Sequence, residues 1–330
     1  DTCLLAEEIL ALLPRSDEVR DSWGLARMNR SNALHALGRY KEALVLQEEV
    51  QAVFDSLPEG DEARKNRASV RMNRANALNC LGRYEEALQA FRPLDLTPAE
   101  NPVADSLLFG EARSLAKLGK LAEALAAYDR MLKDHPQSDL ADQVFLWKAE
   151  AFYELGRYAE AAQVYEDGLR RFPDGELWDD MQYNLGWTHV RPGKPDEAIA
   201  RFLGVAEKSQ DTDLRVAARC RIGDTYLEKG EPEKALETFD AVLQDSPKNP
   251  YSDYAQYQSG MTLASLGRLE AAAVSFQSLL VNFPKSRFEE ETLYRLGSVL
   301  IGNGSFASAE QPLKKLLTNF PESQLKEKAY

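Results

Sequence analysis

The octapeptide LGRYKEAL at residues 37–44 returns almost unchanged as LGRYEEAL at residues 81–88, and weaker copies follow from Leu118, Leu155, Pro192, Lys229, Leu266 and Asn303. The glycines they share are Gly38, Gly82, Gly119, Gly156, Gly193, Gly230, Gly267 and Gly304, spaced 44 residues once and then 37 residues six times. A fixed period of roughly 20–50 residues marks a stack of one repeated supersecondary unit. This constrains the fold more than any other feature. At 330 residues one spherical core would be near its size limit. A stack escapes that limit because each unit buries its apolar face only against its neighbours.

Aligned on the turn glycine, each position has a physical role. Five residues later stands alanine every time, from Ala43, Ala87 and Ala124 through Ala198 to Ala309. Seven residues earlier the side chain is always small: Ser31, Ala75, Ala112, Ala149, Gly186, Gly223, Gly260 and Gly297. One small residue on each of two helices lets them cross closely. The glycine between them can take the left-handed conformation that ends the first helix. Nine residues after it come large fillers: Phe91, Tyr128, Tyr165, Phe202, Phe239 and Phe276.

The second helix then stops at Pro136, Pro173, Pro247, Pro284 and Pro321, with Gln210 the one break in the series. Two residues on stand Ser138, Gly175, Thr212, Asn249, Ser286 and Ser323, all preferred N-cap types. They predict that the next helix starts there, with a capping box between Ser286 and Glu289 and with Pro250 at a first helical position. The unit is helix–turn–helix and the fold class is all-α.

These rows of small residue, glycine, alanine, aromatic and proline resemble the tetratricopeptide repeat. The resemblance covers nearly the whole chain. It implies a right-handed solenoid of eight helical hairpins, with partial helices at each end. The family's period is 34 residues, so the 37-residue units carry about three more. The N-cap row places them at the start of the first helix, as nearly one extra turn. Residues 1–95 form the 44-residue style, with longer helices, and residues 96–330 the 37-residue style. Pro93, Pro98 and Pro102 mark the change, where a bend is expected; Pro312 should kink its own helix. Asp1 and Tyr330 both align inside helices, which leaves two uncapped ends and implies a fragment of a longer protein.

A search for chemistry returns nothing complete. HExxH, CxxC, GxxxxGK and GxSxG are absent, and Asp211 and Asp213 lack the rest of a calcium loop. The three histidines, His35, His135 and His189, are isolated, with His135 at a helix end. Cys3, Cys80 and Cys220 fit no motif, and the latter two read as buried or half-buried helical thiols. No catalytic activity, metal or cofactor is expected. The net charge of −13 argues against nucleic acid and anionic membrane as partners. No apolar run approaches the length of a membrane span, so no direct insertion is expected. The first residues carry no basic stretch or cleavage pattern, as would also hold for a mature or excised chain.

What remains is surface, and the expected partner is a protein or peptide segment. The tetratricopeptide resemblance implies that the first helices line a concave groove. Positions ten, nine and six residues before the turn glycine should face it, since such offsets share one helix face. They hold Met28, Asn29, Asn32, Met72, Asn73 and Asn76 in the first two units. Later units place Phe109, Trp147, Tyr183, Asn184, Trp187, Tyr257 and Tyr294 there, with Trp187 and Tyr257 expected to be exposed. The alternative is that these aromatics pack between neighbouring first helices.

Asn prefers caps and turns to helix interiors, yet the Asn pair recurs in mid-helix in both early units. A ladder of Asn29, Asn32, Asn73 and Asn76 could hold a partner's backbone, each amide offering donor and acceptor. Arg27, Arg30, Arg71 and Arg74 would favour acidic residues in the partner. The alternative is simple duplication, with the amides bonded to one another. RMNRANALNCLGRYEEAL resembles cytoplasmic arrays of the kinesin light chain type. That likeness implies that Asn29 and Asn73 hold peptide backbone. The Pro-x-Ser element of the later units resembles bacterial cell-envelope repeat proteins, of the Tol–Pal coordinator and outer-membrane-assembly lipoprotein kind. The two likenesses leave periplasm and cytoplasm both open.

The leading functional expectation is a non-catalytic interaction scaffold. A recruiting or regulatory arm of a larger enzyme is the second. Homotypic docking of an uncapped end onto another copy is the third.

Overall fold

The computed structural model describes residue 4 and residues 16–91 and 103–329. It divides into two compact units, Asp1–Leu177 and Trp178–Tyr330. The change of repeat style near residue 95 therefore falls within the first unit, and the bend expected at Pro93, Pro98 and Pro102 lies outside the described residues. The described residues hold seventeen helices and no strand.

In the first unit these are α1 (Asp17–Ala36), α2 (Tyr40–Asp55), α3 (Asp61–Cys80), α4 (Tyr84–Phe91), α5 (Ala104–Lys117), α6 (Leu121–Asp134), α7 (Ala141–Glu154) and α8 (Tyr158–Arg171). The second has α9 (Trp178–Val190), α10 (Pro195–Lys208), α11 (Thr212–Glu228), α12 (Pro232–Asp245), α13 (Ser252–Ser265), α14 (Leu269–Asn282), α15 (Glu289–Gly302), α16 (Phe306–Asn319) and α17 (Lys326–Ala329). Odd numbers are first helices and even numbers are second helices. Within each unit every hairpin packs on the next. The 44-residue style does lengthen helices: α1 and α3 have 20 residues, against 14 in α7 or α13.

Each hairpin turns at its glycine. Gly38 has φ of +74°, and Arg39 N–H donates back to Leu34 O at 2.9 Å, closing the helix end with a left-handed residue. The other seven glycines match it, with φ between 71° and 79°. The alanines five residues on are all buried. The small residues seven before the glycine do more than let backbones approach: they seat the ring nine residues after it. A Cβ on Gly186 would lie 2.5 Å from Phe202 Cε1, and one on Gly223 would lie 2.6 Å from Phe239 Cε1.

The second helices end two residues before their prolines, as at Asp134 before Pro136. The start of the next helix differs from expectation. Ser138, Asn249, Ser286 and Ser323 precede helices that begin at Ala141, Ser252, Glu289 and Lys326. Thr212 is already helical and is capped by Asp211, whose carboxylate accepts from Asp213 N–H at 2.8 Å and Leu214 N–H at 3.1 Å. Before those four helices the three additional residues thus form a separate turn, whereas in α11, 17 residues long, they extend the helix as expected. Ser286 Oγ accepts from Phe288 N–H at 3.1 Å and donates to Asp253 Oδ2, in the first turn of the preceding first helix, at 2.7 Å. Ser138 does the same with Leu140 and Asp105, and Ser323 with Leu325 and Glu290. Where Gln210 breaks the proline row, Ser209 takes this role, donating to Asp179 Oδ2 at 2.6 Å. The capping box does not form, because the helix begins at Glu289 with Phe288 rather than Ser286 at its N-cap, and Glu289 pairs instead with Lys315 at 3.2 Å. Pro250 lies in the turn, and α16 runs through the buried Pro312.

Candidate interaction face

Three recesses open between successive first helices in one register. Each is walled by the residue six before one turn glycine and by the residues nine and six before the next. Each has at its floor the residue nine after the first glycine. Their walls are Asn32, Asn73 and Asn76; Arg113, Trp147 and Glu150; and Trp187, Arg221 and Asp224. Their floors are Gln47, Tyr128 and Phe202, and their volumes about 170, 50 and 360 Å³. Helical geometry explains the register. Offsets of three share one face, and the long filler from the second helix reaches up between two first helices.

The recess between α1 and α3 is lined by the amides of Asn32, Gln47, Asn73 and Asn76 together with Ser31, His35 and Ala43. Asn73 Nδ2 donates to Asn32 Oδ1 at 2.8 Å, which joins the two repeats. Asn76 lines the recess, Asn29 is exposed, and neither side chain has a hydrogen-bond partner among the described residues. The ladder is therefore half linked and half open. Arg27 lies over the Trp23 ring at 4.4 Å and its Nη2 is 2.9 Å from Glu49 Oε2, so its charge is already engaged. Arg71 is half-buried, and burial is the main cause that draws its guanidinium below the ordinary value. Met28 and Met72 pack against the cores. Cys80, expected to be at least half-buried, is exposed, with Sγ 3.6 Å from His35 Nε2.

The recess between α5 and α7 is a stack of charge on ring. Arg113 lies over Trp147 at 4.0 Å, and the Tyr128 hydroxyl at the floor has no hydrogen-bond partner among the described residues. Burial, then the Glu154 charge, raises the Glu150 carboxyl above its usual range.

In the second unit, between α9 and α11, Arg221 Nη1 lies 2.7 Å from Asp224 Oδ2. Asp224 Oδ1 accepts from the Tyr254 hydroxyl at 2.7 Å and from Gln258 Nε2 at 3.0 Å. The guanidinium carbon sits 5.7 Å from the Trp187 ring and 5.0 Å from that of Tyr254. Burial opposes the Arg221 charge, yet Asp224 and the neighbouring tyrosines hold it above its ordinary value.

Trp187 and Tyr257 are half-buried rather than exposed. Trp187 and Tyr183 meet the Phe202 ring edge-on at 5.9 and 5.4 Å, and Tyr257 stacks on Phe288 at 5.0 Å. These aromatics gain more by covering the filler ring than by standing in water. Sequence reasoning passed over Arg113, Glu150, Arg221 and Asp224, although they hold the positions it singled out, because it weighted aromatics there. It also passed over Gln47, whose signal was plain: it interrupts the aromatic row nine residues after the glycine. Among the described residues no group of three or more His, Cys, Asp or Glu could hold a metal ion, and no helix is long and apolar enough to cross a membrane.

Family comparison finds the tetratricopeptide repeat at residues 23–52, 68–93, 109–176, 183–250, 254–286 and 291–323. No curated protein sequence matches the chain. Among solved structures, the C-terminal part of a TPR repeat-containing protein from Cytophaga hutchinsonii is 17% identical with a TM-score of 0.61. That match covers 78% of this chain and 98% of the other. The apo form of RapI is 15% identical with a TM-score of 0.61, over 93% of this chain and 95% of its own. At these identities the likeness shows the fold alone. The repeat matches from residue 23 to residue 323, on a fold whose every described hairpin turns at its glycine, show that this chain belongs to the tetratricopeptide repeat family.

Proposed function

We propose that this chain is a non-catalytic scaffold whose first-helix faces bind extended segments of partner proteins. The observation that carries this reading is the common register of the three recesses, each with a different wall chemistry. A repeated backbone with varied recess chemistry suits the reading of different side chains of a partner in each unit. In the first unit, Asn29, Asn32, Asn73 and Asn76 contact the partner's amide groups, with Arg27 and Arg71 beside them. In the second, Tyr183, Trp187 and Tyr257 give apolar surface beside the Arg221–Asp224 pair. Pro-x-Ser serves as a joint between repeats here, so the reading is independent of compartment.

The test is panning of a random peptide library on the purified chain, followed by titration of the selected peptides against Asn29→Ala/Asn76→Ala. Each lost hydrogen bond contributes ~0.5–1.5 kcal/mol, so affinity should fall by ~1–3 kcal/mol. The melting temperature should hold, since neither amide has a described partner and Ala is the better helix former. Peptides that bind the double variant with full affinity would remove the Asn ladder from this reading. If the library yields no binder, the reading as a whole fails.

A further inference from the structure

The recess between α9 and α11 is the largest of the three, at about 360 Å³. The charged and hydroxyl groups that line it are engaged, with one exception. Asp224 accepts from Tyr254 and Gln258 through Oδ1 and meets Arg221 through Oδ2, so the charges of Asp224 and Arg221 match each other. Thr225 donates to the Arg221 carbonyl at 2.7 Å. The exception is Glu228. Its side chain lines the recess and is exposed, and its carboxylate has no ion pair or hydrogen bond among the described residues. Arg221, Asp224 and Glu228 follow at intervals of three and four residues, on one face of α11. The lining therefore holds one positive and two negative charges. The recess between α5 and α7 instead sets Arg113 and Lys117 against Glu150 and Glu154, and the recess between α1 and α3 has no carboxylate. Asp224 and Glu228 are also like charges four residues apart, a spacing that disfavours a helix.

We infer that this recess takes a basic side chain, a lysine or arginine of the bound segment, whose alkyl stem lies on Trp187, Val190 and Leu227 and whose charged head meets Glu228. The inference rests on the scaffold reading above for the source of that side chain. Each group offered to the ligand is partly or fully exposed. Val190 and Leu227 stand three residues before their turn glycines and Glu228 stands two before, so apolar walls and carboxylate share the turn end of the recess. A long stem covers apolar surface while its head stays in water, which is where Glu228 stands. A cation there also relieves the repulsion between Asp224 and Glu228. An acidic side chain meets the wrong balance, because Arg221 is already matched by Asp224. An uncharged apolar side chain fits the walls but takes water from Glu228 and returns no partner. The net charge of the chain, −13, attracts a basic partner from a distance.

The experiment uses the whole chain and three small probes: the N-acetyl, N′-methylamide forms of lysine, norleucine and glutamate. Norleucine keeps the alkyl stem and lacks the ammonium group. The indole N–H signal of Trp187 is followed by nitrogen–proton NMR and assigned with Trp187→Phe. The lysine probe should shift it in a saturable way, norleucine should bind more weakly, and glutamate should leave it unmoved. Glu228→Gln should weaken the lysine probe about threefold, within the range of an exposed ion pair, and leave norleucine unchanged. Glu237→Gln, at an exposed position of α12, removes the same charge elsewhere and should change neither. Norleucine or glutamate binding as tightly as lysine would overturn the inference. So would equal losses in the two Gln variants, or a Trp187 signal that no probe moves. As a second measurement, each Lys or Arg of the selected peptides is replaced by norleucine. At one position the replacement should cost about threefold on the wild-type chain and almost nothing on Glu228→Gln. Selected peptides without such a position sink this inference and leave the scaffold reading standing. A library that yields no peptide sinks the scaffold reading, while the probe titration still decides the chemistry of the recess.

Discussion

The first and fifth hairpins share one backbone plan and fill it with opposite chemistry. In the fifth, Gly186 gives up its side chain so that the Phe202 ring can lie on the helix, and Tyr183 and Trp187 cover that ring. In the first, Ser31 and Gln47 hold the same two positions, bonded to each other and to the α2 backbone, and both are buried. The fifth hairpin uses the site for packing. The first leaves an acceptor unmatched beneath a polar recess. A repeat can depart from the packing rule at one site because its neighbours supply the remaining apolar contacts. Such departures are where function is to be sought in an otherwise self-consistent sequence.

Exchange of the two pairs is the sharpest way to break this comparison. Gly186→Ser/Phe202→Gln should destabilise the second unit by ~3–5 kcal/mol, the usual cost of removing a buried ring. The converse change to apolar side chains in the first hairpin, Ser31→Ala/Gln47→Leu, should hold or raise the melting temperature, because it removes a buried unmatched polar atom. Thermal unfolding followed by circular dichroism reads both. If the converse change melts several degrees lower, the polar pair is a packing element and the contrast between the hairpins is lost.

A smaller loss is expected at a position that both hairpins fill alike. Ala198 is fully buried at the helix crossing. Ala198→Leu should overpack it at a cost of ~1–3 kcal/mol, read as a lower urea midpoint. An unchanged midpoint would show that the crossing has room to spare.

The joints between repeats come next. Ser286→Ala removes one oxygen that both accepts from Phe288 N–H and donates to Asp253. The expected loss is ~0.5–2 kcal/mol. Ser286→Thr, which keeps the hydroxyl, should recover most of it, and a Thr variant as unstable as Ala would rule the joint out.

The smallest effect concerns reactivity rather than stability. Cys80 is exposed beside the amide recess, whereas Cys220 is buried in α11. Burial, then the Asp224 charge, pushes the Cys220 thiol up to about 12, so it stays protonated throughout the neutral range. Only the thiolate attacks. A thiol reagent at pH 8 should label Cys80 in the native chain and leave Cys220 until the protein unfolds, as peptide mapping would show. Native labelling of Cys220 would mean that α11 opens locally.

Much of this architecture was legible because it rests on local rules repeated along the chain. Glycine at a left-handed turn, alanine at a crossing and proline after a helix each act within a few residues of chain, so their spacing alone announces the hairpin. The Ser row shows the limit of such reading. Serine two residues after proline is a sound N-cap signal, and its side chain does accept a nearby backbone N–H. It caps a separate turn instead of the helix, because its hydroxyl also reaches an acid about one repeat earlier in the chain. A partner at that sequence distance has no local signature.

The candidate site divides in the same way. The offsets of nine and six from the glycine were legible from helix geometry, whereas Met28 and Met72, at the offset of ten, pack against the cores. The occupants that matter were less legible. The expectation of exposed aromatics at Trp187 and Tyr257 failed because a flat ring is better placed against neighbouring rings, Phe202 for Trp187 and Phe276 and Phe288 for Tyr257, than in water. Gln47 was visible as a break in a row, but a break in a row does not say whether the side chain turns outward or lies buried.

The sequence by itself determined the fold class, the number of hairpins, the turn at each glycine and the face that first helices present. These depend on backbone conformation and on helical periodicity, both set by residues close together in the chain. Only the tertiary structure decided that Asn32 and Asn73 bond across repeats, that Arg27 is taken by Glu49, and that Gln47 keeps a buried acceptor under the recess. Those outcomes depend on which polar groups meet once helices from different repeats pack together. Hydrogen bonds and ion pairs are made or lost over a few tenths of an ångström, a precision that residue spacing along the chain does not carry.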